Sequence, residues 1–197
     1  MPASPADVAL NGQIVRSDRR ALIAMARSSS AAMNLVNCVT LLQRLAKLTD
    51  GAAAEEHVLE PVTERLSVHF DAREGFGPRH VSGTLWACAK MQVAPAPLLR
   101  AAISAGCNLN PQWYKPHELS LAVWALGKLH GAGGLGAQNL GQAAEALVAR
   151  LLPSAFERSA HLDTQGLANL AGGMASLAQP AQPHAADAAS EGAVSRG

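Results

Sequence analysis

Aromatic and charged residues are both scarce in this chain of 197 residues. Aromatic residues make up 4 % of the sequence and charged residues 16 %, whereas hydrophobic residues make up 49 %. That apolar fraction is enough for a folded domain, so the composition excludes a chain that is disordered throughout. Because rings are few while alanine, leucine and glycine are abundant, the core must consist mainly of small and aliphatic side chains, as in closely packed helices. Runs typical of β-strands are missing.

Cysteines and long apolar runs are also in short supply. The three cysteines, Cys38, Cys88 and Cys107, form no CxxC pair. Their odd number and spacing argue against a disulfide framework or a structural zinc site and fit a reducing compartment. The longest uncharged apolar stretches, such as 120–127, are far shorter than the roughly 20 residues of a membrane-spanning helix. We therefore expect no membrane partner.

The charges are nearly balanced, with 16 basic and 15 acidic residues, but they are unevenly distributed. Residues 33–78 contain four basic and seven acidic residues, and residues 79–178 contain seven basic and four acidic ones. Because contacts with phosphates supply much of the affinity for nucleic acids, dedicated nucleic-acid binders usually carry a stronger basic excess. The overall charge thus argues against tight RNA binding.

An internal repeat is the most informative feature of the sequence. Four segments of fourteen residues align without gaps: 35–48, 78–91, 116–129 and 164–177. Columns 4, 8 and 11 of the alignment are apolar throughout, a spacing that places them on one face of a helix. Pro78 and Pro116 suit a first helical turn, and Asp163 or Thr164 can cap the last copy.

The distances between these segments leave room for a second helix in each repeat. The starts are 43, 38 and 48 residues apart, which we interpret as a basic period of 38 residues with loop insertions of 5 and 10. Candidate second helices are 55–71, 97–105 and 140–152. The sequence thus predicts an all-α fold, an α-solenoid of stacked helix pairs. Residues 1–32 fit an N-terminal segment with a partial repeat, 33–178 a domain of about four degenerate units, and 179–197 a disordered tail.

Catalytic and metal-binding motifs are incomplete. The GAGGLG string at 131–136 matches GxGxxG, but that dinucleotide-binding pattern must follow a β-strand, and here it follows a helical segment. We expect a flexible loop between helices instead. His117 and Glu118 begin an HExxH pattern whose second histidine is replaced by Leu121, which cannot bind zinc. We predict no catalytic residues, no metal and no cofactor, and therefore not an enzyme.

The helix face opposite the apolar stripe carries the candidate binding residues. Columns 2, 6, 9 and 13 lie there, and column 13 holds Lys47, Lys90 and Lys128 in the first three copies. The same face supplies four further candidates: Arg79, His117, Gln165 and Asn169. Column 9 holds Trp86 and Trp124. Two interpretations stay open: the tryptophans pack against neighbouring helices, or this face lines a groove in which amines meet phosphates and polar side chains meet unstacked bases.

The segments LWACAKM and VWALGKL, with the lead-in MNLVNCVTLLQRLAKL, resemble the octotricopeptide repeat family of green-algal organelles. The spacing of 38 residues agrees with that family. The resemblance implies a solenoid of helix pairs that binds single-stranded organellar RNA and acts in RNA stability, processing or translation. It covers about residues 33–178. The fourth copy departs from the pattern, with Gly172 in place of the tryptophan and Ser176 in place of the lysine.

The resemblance also implies a location. We expect a chloroplast protein, with the mitochondrion as the alternative, although Asp7 and Asp18 make the first twenty residues an unconvincing transit peptide. The expected function is noncatalytic RNA binding through Lys47, Lys90, Lys128 and the four further candidates. The alternative is a scaffold for protein–protein interaction, which the nearly neutral net charge favours.

Overall fold

The computed structural model describes residues 4–49, 56–72 and 75–180. Within these ranges the regular structure consists of α-helices and short 3-10 turns, with no β-strand. The all-helical fold class expected from the sequence is therefore confirmed. Of the tail that we predict to be disordered, 179–197, the part from residue 181 onward lies outside the described residues.

The longer helices form two rows. The first row consists of α1 (Pro5–Arg16), α3 (Leu35–Lys47), α5 (Pro78–Met91), α7 (Pro116–Gly131) and α10 (Thr164–Leu177). The second row consists of α2 (Arg19–Ser28), α4 (Glu56–Asp71), α6 (Ala96–Asn108) and α9 (Gly141–Glu157), and the single turn α8 (Gly134–Ala137) precedes α9. Each helix contacts the next one in its row, and the two rows contact each other through successive helices such as α3 with α4 and α5 with α6.

The helix starts follow from local sequence. Asp18, Asn34 and Asp163 each accept a hydrogen bond, at 2.7 to 2.9 Å, from the backbone N–H of the third residue of the helix that follows. Such side chains satisfy donors that have no partner inside the helix. Pro78 and Pro116 occupy the first turns of α5 and α7, where a missing N–H costs nothing. The N-terminal signals expected from the sequence are therefore present.

The predicted apolar stripe forms the core in the first three copies. Columns 4, 8 and 11 of these copies are buried in every case: Cys38, Leu42, Leu45, Val81, Leu85, Cys88, Leu119, Val123 and Leu126. The prediction is wrong for the fourth copy, in which Leu167 is 46 % exposed and Ala171 is exposed. The reason is that α10 is the last helix of its row within the described ranges and buries Gly166, Leu170 and Gly173 instead.

The contact between α7 and α10 depends on two glycines. A Cβ atom built on Gly173 would lie 2.6 Å from the carbonyl oxygen of Val123 and 2.8 Å from the Cα of Trp124. A Cβ atom on Gly127 would in turn clash with the carbonyl oxygen of Gly173. Only glycine permits so close an approach of two backbones. This contact therefore sets the distance at which α10 lies against α7.

The GAGGLG segment is more regular than the flexible loop that we expect from the sequence. It contains α8, which begins after Gly133 in the left-handed conformation with φ of 74°. Leu135 is fully buried, and its carbonyl oxygen accepts a hydrogen bond of 2.8 Å from the N–H of Leu140. Burial of this leucine gives the segment a fixed place beside α7 and α9.

Among the described residues, every helix is too short or too polar to span a bilayer.

Candidate functional site

A groove of about 800 Å³ lies at the C-terminal ends of α5, α7 and α10. The end of α5 contributes Lys90 and the residues just after it, and α7 contributes Trp124 and Lys128. The end of α10 contributes Ser176, followed by Gln179 and Pro180. The column-13 residues of the second, third and fourth copies, Lys90, Lys128 and Ser176, therefore line one continuous groove.

The described lining of this groove is basic and polar. Lys90 and Lys128 are exposed, and none of the described lining residues is acidic. Amide side chains are supplied by Gln92, Gln138 and Gln179. Ammonium groups can bind phosphates, and amides can donate to and accept from base edges. The arrangement can thus hold a polyanion that also carries hydrogen-bonding groups.

Local backbone structure positions two of the three amide side chains, those of Gln92 and Gln138. Gln92 ends α5 in the left-handed conformation with φ of 56°, and the N–H of Val93 donates back to the carbonyl oxygen of Cys88 at 3.1 Å. This reversal turns the chain away from the helix directly after Met91. Gln138 follows α8 as its C-cap. Both glutamines therefore lie where a helix ends, next to the lysines of the groove.

One hydrogen bond connects the two sides of the groove. The ring nitrogen Nε2 of His130, near the end of α7, donates to the carbonyl oxygen of Gln179 at 2.9 Å. Because Gln179 lies two residues beyond α10, this bond links the end of α10 to that of α7. The bond thereby helps to fix the distance between Lys128 and the segment that follows α10.

The tryptophans pack on the core and stay partly exposed. Trp86 and Trp124 both contact the hydrophobic core and are half-buried. Packing against the hydrophobic core is thus shown for both rings. Trp124 in addition lines the groove, whereas Trp86 is not part of its lining. An indole beside two ammonium groups offers a surface on which a base can stack.

The remaining predicted binding residues lie outside the groove. Lys47 is exposed at the end of α3, but it does not line the groove. Arg79, His117 and Gln165 are exposed in the first turns of α5, α7 and α10. Eleven residues separate columns 2 and 13, which is about 16 Å along a helix. The structure therefore divides the predicted face into two separate ends.

Asn169, the last predicted residue, is engaged by its own helix. Its Oδ1 atom accepts a hydrogen bond from Nε2 of Gln165 at 2.9 Å, one helical turn away. Gln92 and Gln138, by contrast, were missed by the sequence interpretation because they lie outside the aligned segments. Both glutamines directly follow the last turn of a helix. That position is the feature that could have identified them, but the aligned segments do not include it.

Burial raises the pKa of two thiols and of one phenol. It raises the pKa of Cys38 to about 12 and also raises that of Cys107. It raises the pKa of Tyr114 as well, with further contributions from Cys107 and Glu118. These groups therefore stay protonated at neutral pH. A thiol acts as a nucleophile only as the thiolate, so neither cysteine is activated for attack.

The described ranges contain no group of three or more histidine, cysteine, aspartate or glutamate side chains that could hold a metal ion. Comparisons of the chain with protein-family models, with curated proteins and with solved structures gave no match. The functional interpretation therefore depends on the geometry and chemistry of the residues themselves.

Proposed function

We propose that this protein is a noncatalytic RNA-binding protein that holds single-stranded RNA in the groove at the C-terminal ends of α5, α7 and α10. The observation that carries the proposal is the joint presence of Lys90, Lys128 and Trp124 in a groove whose described lining has no acidic residue. Single-stranded nucleic acids are commonly held by basic grooves that also present aromatic rings for stacking.

The arrangement of helices supports a repetitive architecture for this binding surface. The two rows agree with an α-solenoid of stacked helix pairs, in which each pair contacts mainly its neighbours. The row helices α3, α5, α7 and α10 begin at Leu35, Pro78, Pro116 and Thr164. These starts fit the basic period of 38 residues with two loop insertions. In this proposal equivalent side chains recur at regular intervals, as a linear ligand requires.

The resemblance to octotricopeptide repeat proteins suggests the biological context. It favours a role in the stability, processing or translation of organellar RNA, in the chloroplast or else the mitochondrion. If each repeat meets one nucleotide, about four repeats read about four bases. Such a short site favours modest affinity.

A direct titration tests the proposal. Fluorescently labelled single-stranded RNA is titrated with the protein at low salt, and binding is followed by fluorescence anisotropy. We expect saturable binding that weakens as salt is added, because phosphate contacts release counterions. Absence of binding up to about 100 μM protein at low salt, where phosphate attraction is greatest, would contradict the proposal.

A pair of charge variants locates the binding surface. In the double variant Lys90→Gln and Lys128→Gln, we expect weaker binding to RNA. The slope of the logarithm of the binding constant against the logarithm of the salt concentration should fall in magnitude by about 1.4, or about 0.7 for each lost phosphate contact with a single strand. Lys47→Gln is the matched control, since Lys47 has the same column and helix position but lies outside the groove. Equal losses in the control would place the RNA elsewhere.

Two tryptophan variants separate stacking from packing. Both rings are half-buried against the core, so Trp86→Ala and Trp124→Ala should both lower the melting temperature. Only Trp124→Ala should also remove a stacking surface, which contributes roughly 1–3 kcal/mol per base. Affinity is measured well below both melting temperatures. Equal affinities of the two variants would show that Trp124 does not contact the RNA.

A scaffold function is the second candidate, and α10 is the observation that favours it. The helix has no charged residue, and its outer side exposes Leu167, Ala168, Ala171 and Ala175. Exposed apolar surface of this kind often marks a protein contact. A protein that copurifies after nuclease treatment, and is lost in an Ala171→Glu variant, would support the scaffold over RNA binding.

A further inference from the structure

A second cavity, of about 150 Å³, lies between α2, α3, α4 and α5. It shares none of its described lining residues with the groove. Helices α3 and α5 of the first row contribute Leu45 and Met91. In the second row, α4 contributes Val58 and Leu59, and α2 contributes Ile23. This cavity is therefore formed where four helices meet, away from the lysines of the proposed RNA site.

The floor of this cavity is apolar. Four of its five apolar lining residues, Leu45, Val58, Leu59 and Met91, are at most 6 % exposed, and Ile23 is half-buried. Thr49 also lines the cavity, but its hydroxyl donates to the carbonyl oxygen of Leu45 at 2.8 Å and is thereby satisfied. An apolar cavity of about 150 Å³ can hold a benzene-sized group. The floor is thus suited to one aromatic ring.

The rim of the cavity carries two guanidinium groups. Arg19 and Arg27 are exposed and line the cavity, and Ile23 lies midway between them in sequence. Spacings of four residues place all three on one side of α2. Neither arginine has a hydrogen bond or ion pair within the described ranges, and none of the described lining residues is acidic. Two positive charges thus lie beside an apolar cavity with no counter-charge among these residues.

This combination selects for a ligand with two parts. A neutral hydrocarbon could use only the floor, and an inorganic anion could use only the rim. We propose that the cavity binds a small aromatic carboxylate, with the ring against Leu45, Leu59 and Met91 and the carboxylate held by Arg19 and Arg27. The planar guanidinium group matches a carboxylate with two parallel hydrogen bonds.

Chemical-shift mapping on the isotope-labelled chain of 197 residues tests the proposal, with phenylacetate as the probe. We expect saturable shifts of cavity residues with a Kd of about 1 mM, as suits a ligand of about ten heavy atoms. Phenylacetamide, which keeps the ring but has no charge, should bind about tenfold more weakly. Acetate, which lacks the ring, should produce no saturable shift at the cavity.

Two arginine variants and a matched control complete the test. Arg19→Gln and Arg27→Gln should each weaken phenylacetate binding about three- to tenfold. Arg20→Gln should leave the Kd unchanged, because Arg20 is exposed on the same helix but does not line the cavity. Ile23→Phe, which fills the cavity from its rim, should abolish binding.

Several results would overturn the proposal, independently of any result with RNA. The first is the absence of shifts at cavity residues at about 20 mM phenylacetate, some twentyfold above the expected Kd. The second is equal affinity for phenylacetamide, which would show that the charge plays no part. The third is a loss of affinity in Arg20→Gln as large as in Arg19→Gln, which would indicate a general electrostatic effect.

Discussion

Replacing Gly173 by alanine should loosen the contact between α7 and α10. The new methyl group would lie 2.6 Å from the Val123 carbonyl oxygen and 2.8 Å from the backbone nitrogen of Trp124. Ordinary contacts between heavy atoms are about 3.5 Å or longer. Backbone atoms cannot rotate away as a flexible side chain can. The two helices must therefore separate by roughly 0.7–0.9 Å, and such a gap forfeits a quarter to a half of the dispersion energy at the contact.

The expected magnitude is a balance of two effects. Inserting a methyl group into a packed contact costs about 1–3 kcal/mol, and a clash with backbone belongs near the upper end. Alanine is favoured over glycine in a helix by about 1 kcal/mol. We therefore expect the free energy of unfolding to fall by about 2 kcal/mol. For a chain of this size, that lowers the melting temperature by about 4–8 °C.

The neighbouring glycine provides a matched control. Gly172 is exposed, and a Cβ atom built on it meets nothing within 4 Å. Gly172→Ala therefore gains only helix propensity and should raise stability by about 0.5–1 kcal/mol. Melting is followed by circular dichroism, and hydrogen exchange of α10 amides is measured in parallel. The reason is that α10, the last helix of its row within the described ranges, can open before the other helices do.

We therefore expect the melting temperature to fall in Gly173→Ala and to rise in Gly172→Ala. Should Gly173→Ala raise the melting temperature as much as Gly172→Ala, the helices do not approach as closely as described. Faster exchange confined to α10 in Gly173→Ala would instead place the damage at the contact with α7.

Three further variants test other contacts. Burial and the nearby Arg79 lower the pKa of His80 in the folded protein. Below the unfolded pKa of about 6.5 the unfolded chain binds a proton at this histidine more readily than the folded protein does, so the free energy of unfolding declines as the pH falls. His80→Gln keeps an acceptor for the N–H of Gly77 and should show a flatter decline between about pH 7 and 5 in denaturant melts. Arg158→Lys should cost about 1–3 kcal/mol in unfolding free energy, because the guanidinium group donates to three backbone carbonyl oxygens, at 2.6, 3.0 and 3.2 Å. Gly83→Ala should change stability by less than about 1 kcal/mol, since its clash involves only the flexible side chain of Gln43.

Helical periodicity made most of the fold predictable. The segments aligned as 78–91 and 164–177 coincide with α5 and α10, and the stripe of Cys38, Leu42 and Leu45 is buried as expected. Periodicity states which residues share a face, but it does not state what covers that face. Leu167 continues the stripe in the fourth copy and is nevertheless exposed, because burial requires a neighbouring helix that no pattern within α10 can specify.

The candidate sites were less predictable, for a related reason. The groove depends on residues just beyond the aligned helices, such as Gln92 and Gln138, and on the distance at which Gly127 and Gly173 let α10 approach. The cavity beside α2 had a weak signal in the four-residue spacings of its arginines and Ile23. Neither site is a local property of one segment, since each forms only where three or four helices meet.

Two physical effects can favour lysine in column 13: the dipole at the end of a helix and contact with a ligand in the groove. The structure distinguishes these two effects. Lys47, Lys90 and Lys128 all lie in the last turn of a helix, where a cation is favourable by about 0.3–1 kcal/mol because the helix dipole is negative there. That reason is sufficient to explain a lysine at the same position in each of three repeats. Only Lys90 and Lys128 also face the groove. Stability should therefore respond alike to all three lysines, whereas RNA affinity should distinguish Lys47 from the other two.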